Sequence, residues 1–195
     1  RPVAGGSFIE LPLPLRKKMS LLNIKNNDNR CILWCIAAAL HPYNRMSDKG
    51  KCNRTSAYKD HISSINTGDI TFPIGVKDIP KLEQLNDFRI NVFGCDYNAD
   101  QPDDKMLNTG IFPRYISSKV ANKTINVLLI ANEAKQHYVL IKSLDALLKE
   151  KNGFGKTKHC ERCLTGFSSQ RLLDKHMELC TNFKFQRVVM PDPNK

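Results

Sequence analysis

The apolar residues form one run without a polar face and several shorter alternating runs. Residues 31–40 read Cys-Ile-Leu-Trp-Cys-Ile-Ala-Ala-Ala-Leu, so a helix here would be buried on all sides. Asp28 or Asn29 can cap its start, and Pro42 ends it. The pattern therefore predicts a central buried helix early in the chain.

Alternating and β-branched residues predict three strands later in the chain, at residues 89–94, 124–130 and 137–141. The last two are separated by a short polar turn and are expected to pair antiparallel. Three shorter helices are predicted at residues 57–65, 78–83 and 144–150. One early helix followed by late strands is typical of an α+β fold, here with an antiparallel sheet.

Proline and glycine divide the chain into a lead-in, a body and a tail. Residues 1–22 are punctuated by prolines, and we expect them to lie extended on the body. Gly153 and Gly155 mark a linker. We therefore predict one domain over residues 1–152 and a second, small one over residues 153–195.

Charge is concentrated at the two ends. The 195 residues carry 30 basic and 19 acidic side chains, a net charge of +11. Residues 1–30 carry +4 and residues 149–195 carry +5, against +2 for the residues between them. Basic flanks indicate attraction to nucleic acid, with a merely solvated surface as the alternative.

Several classes of protein are excluded by composition. No apolar run approaches the ~20 residues of a membrane span, so no membrane is expected. Seven cysteines, an odd number, without a signal peptide argue against a secreted disulfide framework. We expect an intracellular monomer, in the cytoplasm or the nucleus. The chain starts at Arg1 without a methionine, and we expect it to be a piece of a longer protein.

Four residues near the end have the C-x2-C-x12-H-x3-C spacing that tetrahedral Zn²⁺ needs: Cys160, Cys163, His176 and Cys180. A knuckle would present the first pair, and a helix would present the second pair one turn apart on one face. Phe167 and Leu173 lie where such a finger keeps its small core. We predict structural Zn²⁺. Docking and DNA contact are both open roles, since one finger reads only ~3 base pairs.

A nucleophilic cysteine is predicted at the start of the buried helix. A helix N-terminus lowers a thiol pKa, and a histidine from elsewhere can act as base. Cys31 follows a polar loop directly, and His137 begins a core strand, so we predict Cys31 and His137 as nucleophile and base. The alternative is simple burial of a free cysteine. That is the expected state of Cys35, Cys52 and Cys95.

A third residue would orient the imidazole. The candidates are Asn132, in the turn between the last two strands, and Asp145, which is better placed to cap the following helix. A Cys–His dyad without a third residue is the alternative. The oxyanion hole would combine the Cys31 amide with the loop before it, where the candidates are Asp28, Asn29 and Asn26.

A family resemblance runs through segments spread over nearly the whole chain: residues 7–12, 26–34, 40–42, 72–73, 78–79, 90–94, 137–141, 160–169 and 185–191. In their order along the chain and in their residues, these segments resemble the segment upstream of the protein-primed DNA polymerase in Polinton/Maverick-type transposons. The resemblance implies that this chain lies beside such a polymerase.

The segment around Cys31 also resembles viral tegument-like deubiquitinases, a papain-like class related to herpesviral large tegument proteins. Asp28-x-x-Cys31 is similar to the Asp-x-x-Cys of ovarian-tumour deubiquitinases. The resemblance implies a papain-like cysteine protease in which Cys31 is the nucleophile and His137 the base. Tegument enzymes place an acid two residues before the catalytic histidine, where this chain has Lys135, so the third residue is not assigned. Ubiquitin or ubiquitin chains are the implied substrate.

An acidic loop fits a basic substrate tail. Its four carboxylates could bind the basic tail that precedes the Gly-Gly end of ubiquitin, with a solvated loop as the alternative. They are Asp96, Asp100, Asp103 and Asp104. We therefore expect a deubiquitinase. The rivals are a transposon polyprotein-processing cysteine protease and a non-catalytic zinc-finger adaptor that binds DNA.

Overall fold

A five-stranded sheet organises the protein in the computed structural model, which describes residues 8–43, 50–95, 110–131, 135–149 and 157–182. The strands lie in the order β1-β5-β4-β2-β3. Their bounds are β1 (Leu21–Leu22), β2 (Arg89–Cys95), β3 (Ile111–Tyr115), β4 (Thr124–Ala131) and β5 (Gln136–Ile141). All three predicted strands are present, and the α+β class is confirmed.

The sheet is mixed, so the prediction of an antiparallel sheet is wrong in one pairing. β4 and β5 pair antiparallel as expected, and so do β1 with β5 and β2 with β3. β2 and β4 run parallel, with Asn91 opposite Asn126. The chain leaves β2, turns back along β3, and crosses to the other side of β2 before it forms β4, which restores the original direction.

The central helix α2 (Cys31–Leu40) is confirmed with its predicted bounds. Arg30 occupies its N-cap position, and Asp28, two residues earlier, accepts the Arg30 amide at 3.0 Å. Trp34 also donates its indole N–H to the Asp28 carboxylate, at 3.0 Å. The loop before α2 is therefore tied to the helix through Asp28.

The other helices in the described residues are α1 (Leu13–Arg16), α3 (Ile79–Gln84), α4 (Leu144–Leu148) and α5 (Gln170–Cys180). Three of them have four to six residues, and α5 has 11. The helix predicted over residues 57–65 is instead two 3₁₀ segments, Thr55–Ala57 and Lys59–Ser64. These segments are mostly polar and offer no continuous apolar stripe, so packing does not support a longer α-helix.

Two apolar layers cover the two faces of the sheet. One face packs on α2 and α3, and this cluster contains Tyr138 and Leu140 of β5. The other face packs on α1 and α4, and this cluster contains Val139 and Ile141. Because side chains alternate along a strand, His137 lies on the second face, away from the body of α2. Among the described residues no helix is long and apolar enough to cross a membrane.

Candidate functional site

The first candidate site lies where β1 leaves the edge of β5. β1 pairs only with Leu140 and Ile141, and the chain turns away at Asn23. The main chain of Tyr138 is therefore left without a strand partner on that edge. The N-terminal half of α2 takes the place of the strand: the Cys35 thiol donates to the Tyr138 carbonyl at 3.3 Å.

Cys31 lies one turn earlier on the same edge. A backbone hydrogen bond from Tyr138 reaches its sulfur. Since the peptide groups of a strand lie in the plane of the sheet, this bond puts the sulfur level with the sheet, beside the peptide that joins His137 to Tyr138.

Cys31 is a buried, protonated thiol. Its side chain is 4% exposed, and burial raises its pKa to about 11 although three backbone hydrogen bonds act in the opposite direction. From its position at the N-terminus of the helix, this pKa is predicted to be lowered. That expectation is wrong for this structure, because loss of hydration outweighs the helix dipole. Cys35, one turn further in, is fully buried as predicted, and burial raises its pKa as well.

His137 is buried in one defined tautomer. Its Nε2 lies 2.8 Å from Oδ1 of Asn23. The Asn23 amide nitrogen donates to the carbonyl of Ile9 at 2.9 Å, so Oδ1 must face the imidazole and Nε2 must carry the proton. Nδ1 is then a bare lone pair, and among the described residues it has no hydrogen-bond partner. Burial lowers the pKa of His137 to about 4, so the ring is neutral.

The imidazole of His137 is oriented by Asn23, and the Cys31 sulfur is bonded to the backbone of Tyr138, the next residue along β5. Asn23 holds the ring so that Nδ1 is the available acceptor, which is the role that a third residue plays in a cysteine–histidine site. The Cys31 sulfur is hydrogen-bonded to the Tyr138 amide, and Nδ1 has no partner, so the two are not bonded to each other in this state.

Asn23 is the residue that the sequence reasoning missed. It is separated from His137 by 114 positions, and only the short pairing of β1 with β5 brings the two together. The signal available in the sequence was an amide at the start of the polar loop before Cys31, which is a weak one.

Neither of the two predicted third residues is seen beside His137. Asp145 does not approach His137: it accepts from the His159 amide at 2.7 Å and from Lys158 Nζ at 3.2 Å. The cap of α4 is Ser143, which accepts from the Ala146 amide. Asn132 lies outside the described residues, as does the whole predicted substrate loop of Asp96, Asp100, Asp103 and Asp104.

The predicted oxyanion loop is internally bonded. Both hydrogens of the Asn26 side-chain amide are used on Asp28, at 2.7 Å to its carbonyl and 3.0 Å to its carboxylate. The Asp28 carboxylate is an acceptor throughout, so its side chain has no proton to offer an oxyanion. Asn29 lies in the same turn and is exposed, and the Cys31 amide stays a prediction.

The second candidate site is the cysteine–histidine cluster. The ligand atoms of Cys160, Cys163, His176 and Cys180 all lie within 4.8 Å of one another. The sulfurs of Cys160 and Cys180 are 3.9 Å apart, close to the ~3.8 Å edge of a tetrahedron with zinc–sulfur bonds of ~2.3 Å. Sγ of Cys163 is 3.2 Å from Nε2 of His176. This group could hold a metal ion, and its ligand set is compatible with zinc.

Local structure presents the four ligands as predicted. β6 (Lys158–His159) and β7 (Gly166–Phe167) form a hairpin around the first pair, and α5 carries the second pair. Phe167 packs against the ring of His176, with 4.7 Å between centroids. Hydrogen bonds from Thr165 outweigh the effect of burial and lower the pKa of Cys163 to about 7, which favours the thiolate that a metal needs.

The knuckle of this cluster is docked on the sheet through Glu161. Its carboxylate accepts from Arg89 at 3.0 Å, and from the side-chain amides of Asn91 and Asn126, each at 3.1 Å. Leu164, at a positive φ of 63°, packs against the apolar cluster that includes α4. The contacts fall at the start of β2 and β4, and His137 pairs with Ile130 at the other end of β4.

No family model, curated protein or solved structure matches this chain.

Proposed function

We propose that this chain is a papain-like cysteine protease that acts as a deubiquitinase, with Cys31 as nucleophile, His137 as base and Asn23 as the residue that orients the imidazole. The observation that carries the proposal is the state of His137. It is a buried, neutral imidazole with Nε2–H on an amide oxygen and a bare Nδ1, next in the chain to the peptide that bonds the Cys31 sulfur.

Catalysis would proceed through an acyl-enzyme. When substrate binds, the sulfur leaves the Tyr138 amide and transfers its proton to Nδ1 of His137. The thiolate then attacks the scissile carbonyl, and the imidazolium protonates the leaving amine. Water activated by Nδ1 hydrolyses the thioester and regenerates the thiol. Asn23 stabilises the imidazolium by accepting from Nε2 throughout.

Ubiquitin is proposed as the substrate on the sequence resemblance around Cys31, and the site geometry supports the thiol chemistry alone. For the second site we propose structural Zn²⁺, held by Cys160, Cys163, His176 and Cys180. Its separation from His137 by the length of β4 favours a structural role over a part in the chemistry.

The test is labelling by ubiquitin that carries a C-terminal electrophile. We expect one adduct on the wild type, mapped to Cys31 by mass spectrometry, and none on Cys31→Ala. Cys95→Ala is the matched control and should label like the wild type. Absence of an adduct on the folded wild type, or equal labelling of Cys31→Ala, would overturn the proposal.

The base and its orienting residue are tested by the labelling rate. We expect His137→Gln to slow it by ~10²–10⁴-fold, because the proton acceptor is lost. Asn23→Ala should slow it by ~10–100-fold, because the ring is no longer held in position. Asn122→Ala, which removes an exposed amide bonded to Asp87, is the matched control.

The two alternative functions predict different results for the same wild-type protein and Cys31→Ala variant. A polyprotein-processing protease would cleave a longer precursor and depend on Cys31 without reacting with the ubiquitin probe. An adaptor would bind DNA with a steep salt dependence and show no reactivity at Cys31.

A further inference from the structure

A cavity lies at the C-terminal end of α2, where that helix meets the start of β4 and the end of β5. Its volume is about 460 Å³, within the ~300–1,000 Å³ of typical small-molecule sites. Ala38 and Ala39 border it, and their short side chains leave space that a longer side chain would fill. Ala39 lies eight residues after Cys31, about 12 Å along the helix axis, so this cavity is separate from the candidate catalytic residues.

The inner wall of the cavity is apolar. The buried residues Ile125 and Leu140 line it, and Leu22 of β1 packs half-buried against the same apolar cluster. Tyr58 also lines it, and its hydroxyl already donates to the carbonyl of Cys52 at 2.6 Å. This wall therefore suits an apolar chain or ring and offers it no polar group to satisfy.

Two polar side chains at the start of β4 border the cavity but are bonded elsewhere. The hydroxyl of Thr124 accepts from Arg89 Nε at 2.7 Å. The amide nitrogen of Asn126 donates to the carboxylate of Glu161 at 3.1 Å. Neither side chain needs a ligand to complete its hydrogen bonds, so recognition of a ligand has to come from other groups.

Three hydrogen-bond donors at the cavity are unused. The ammonium groups of Lys123 and Lys142 and the hydroxyl of Tyr43 have no hydrogen-bond or ion-pair partner among the described residues. Both lysines are exposed, and none of the described residues that line the cavity is acidic. The C-terminal end of α2 brings a partial negative charge of about half a unit, which two ammonium groups exceed. The charge balance therefore favours an anionic group beside the two lysines.

We propose that this cavity binds an amphipathic anion, a molecule with an apolar chain or ring and one carboxylate or phosphate group. The apolar part lies against Leu22, Leu140 and the alanines of α2. The anionic group accepts hydrogen bonds from Lys123, Lys142 and Tyr43. The site does not depend on the thiol chemistry, so it stands or falls separately from the proposed function.

The test is calorimetric titration with octanoate, below the concentration at which it forms micelles. We expect one octanoate to bind per chain. Octanol has the same apolar chain without the charge, and it should bind about fivefold more weakly, because each exposed ion pair contributes only modestly. Octyl phosphate, titrated in the same way, identifies which of the two anionic groups the lysines prefer. Absence of octanoate binding, or octanol binding as tightly as octanoate, would overturn the proposal.

The contribution of the lysines is tested by a double variant. Lys123→Gln with Lys142→Gln should weaken octanoate about fivefold and leave octanol unchanged. Lys77→Gln with Lys175→Gln removes the same two charges from exposed positions outside the cavity, and this matched control should bind octanoate like the wild type. Equal octanoate affinity in the two double variants would contradict recognition of the anion by this cavity.

The position of the ligand is tested by filling the cavity and by NMR. Ala39→Leu should weaken octanoate and octanol at least tenfold, because the new side chain occupies the space of the apolar chain. Ala146→Leu, at an exposed position of α4, is the matched control and should change neither affinity. In the wild type, nuclear Overhauser contacts should join the octanoate chain to the methyl groups of Leu22 and Leu140. Contacts confined to other methyl groups, or unchanged affinity in Ala39→Leu, would overturn the assignment of the ligand to this cavity.

Discussion

The neutral state of His137 is a property of one side chain and its immediate surroundings. Burial brings its pKa to about 4, and the hydrogen bond to Asn23 fixes which nitrogen carries the proton. The unfolded chain would titrate near 6.5 at the same residue. The difference makes stability depend on pH at this position.

We predict that burial of His137 lowers the free energy of unfolding in mild acid. Between pH 6.5 and 4 the unfolded chain binds a proton at His137 that the folded chain does not. The free energy of unfolding should therefore fall as the pH falls through this window, by up to about 3 kcal/mol. Denaturant unfolding at pH 7.5 and pH 5 measures it for the wild type and His137→Gln.

The comparison between variants isolates this residue from other titrating groups. His137→Gln should lose part of the pH dependence, whereas His61→Gln, at a stacked surface pair with His41, should keep it. Equal pH dependence in the wild type and His137→Gln would contradict the prediction.

Candidate site residues could be chosen from the sequence where the local apolar pattern defines the element that carries them. Cys31 and His137 begin elements whose apolar patterns are clear, so both could be chosen from the sequence. Asn23 could not, because a two-residue strand, β1, is too short to leave a periodic signal, and the partner ring is 114 positions away. The pKa of Cys31 was missed for a similar reason, since burial by distant residues outweighs the local helix dipole.

At the scale of elements, the parallel strands β2 and β4 share a polar seam, defined here as Asn91, Asn126 and Glu161. Glu161 comes from a turn that lies later in the chain. Asn91 is fully buried and donates to both Asn126, at 2.9 Å, and Glu161, at 3.1 Å. Its carbonyl oxygen accepts the Ser117 amide at 3.1 Å. The three side chains satisfy one another where the two strands begin. The sequence predicted each strand but not their parallel order, which depends on a crossing that has no local signature.

We predict that Glu161→Ala destabilises the body of the protein and not the metal cluster alone. Three hydrogen bonds to the carboxylate are lost, one of them from a buried amide, so the unfolding free energy should fall by about 1–2 kcal/mol. Glu161→Gln should recover part of it. Glu178→Ala, an exposed carboxylate on α5, is the control. A Glu161→Ala chain as stable as the control would contradict the docking role.

At the scale of the molecule, the two predicted domains behave as one unit in the described residues. Asp145 of the body binds Lys158 and His159 on one side, and Glu161 of the tail binds the sheet on the other. The boundary predicted from Gly153 and Gly155 lies outside the described residues, and the contacts on either side of it have no signature in the sequence. Parts of the basic flanks, residues 1–7 and 183–195, lie outside the described residues, and attraction to nucleic acid stays a prediction.

We predict that metal removal lowers the melting temperature of the whole chain. The holoprotein should contain one zinc per chain by elemental analysis. A chelator should release it and lower the melting temperature by several degrees, because the docked knuckle loses its shape. Cys163→Ser should reproduce the shift without chelator, and Cys95→Ser should not. A melting temperature of the sheet that does not respond to chelator would contradict the coupling.

The docking of Glu161 also sets an order of events during synthesis. The ribosome adds this residue after every strand of the sheet, and Cys180, the last ligand, comes later still. Until then the start of β2 and β4 stays uncovered, with Asn91 and Asn126 lacking their common acceptor. A nascent chain can therefore pair its strands early, but it completes these hydrogen bonds only when the turn that carries Glu161 has emerged and folded. If synthesis stopped before residue 160, the polar starts of β2 and β4 would lack the turn that covers them.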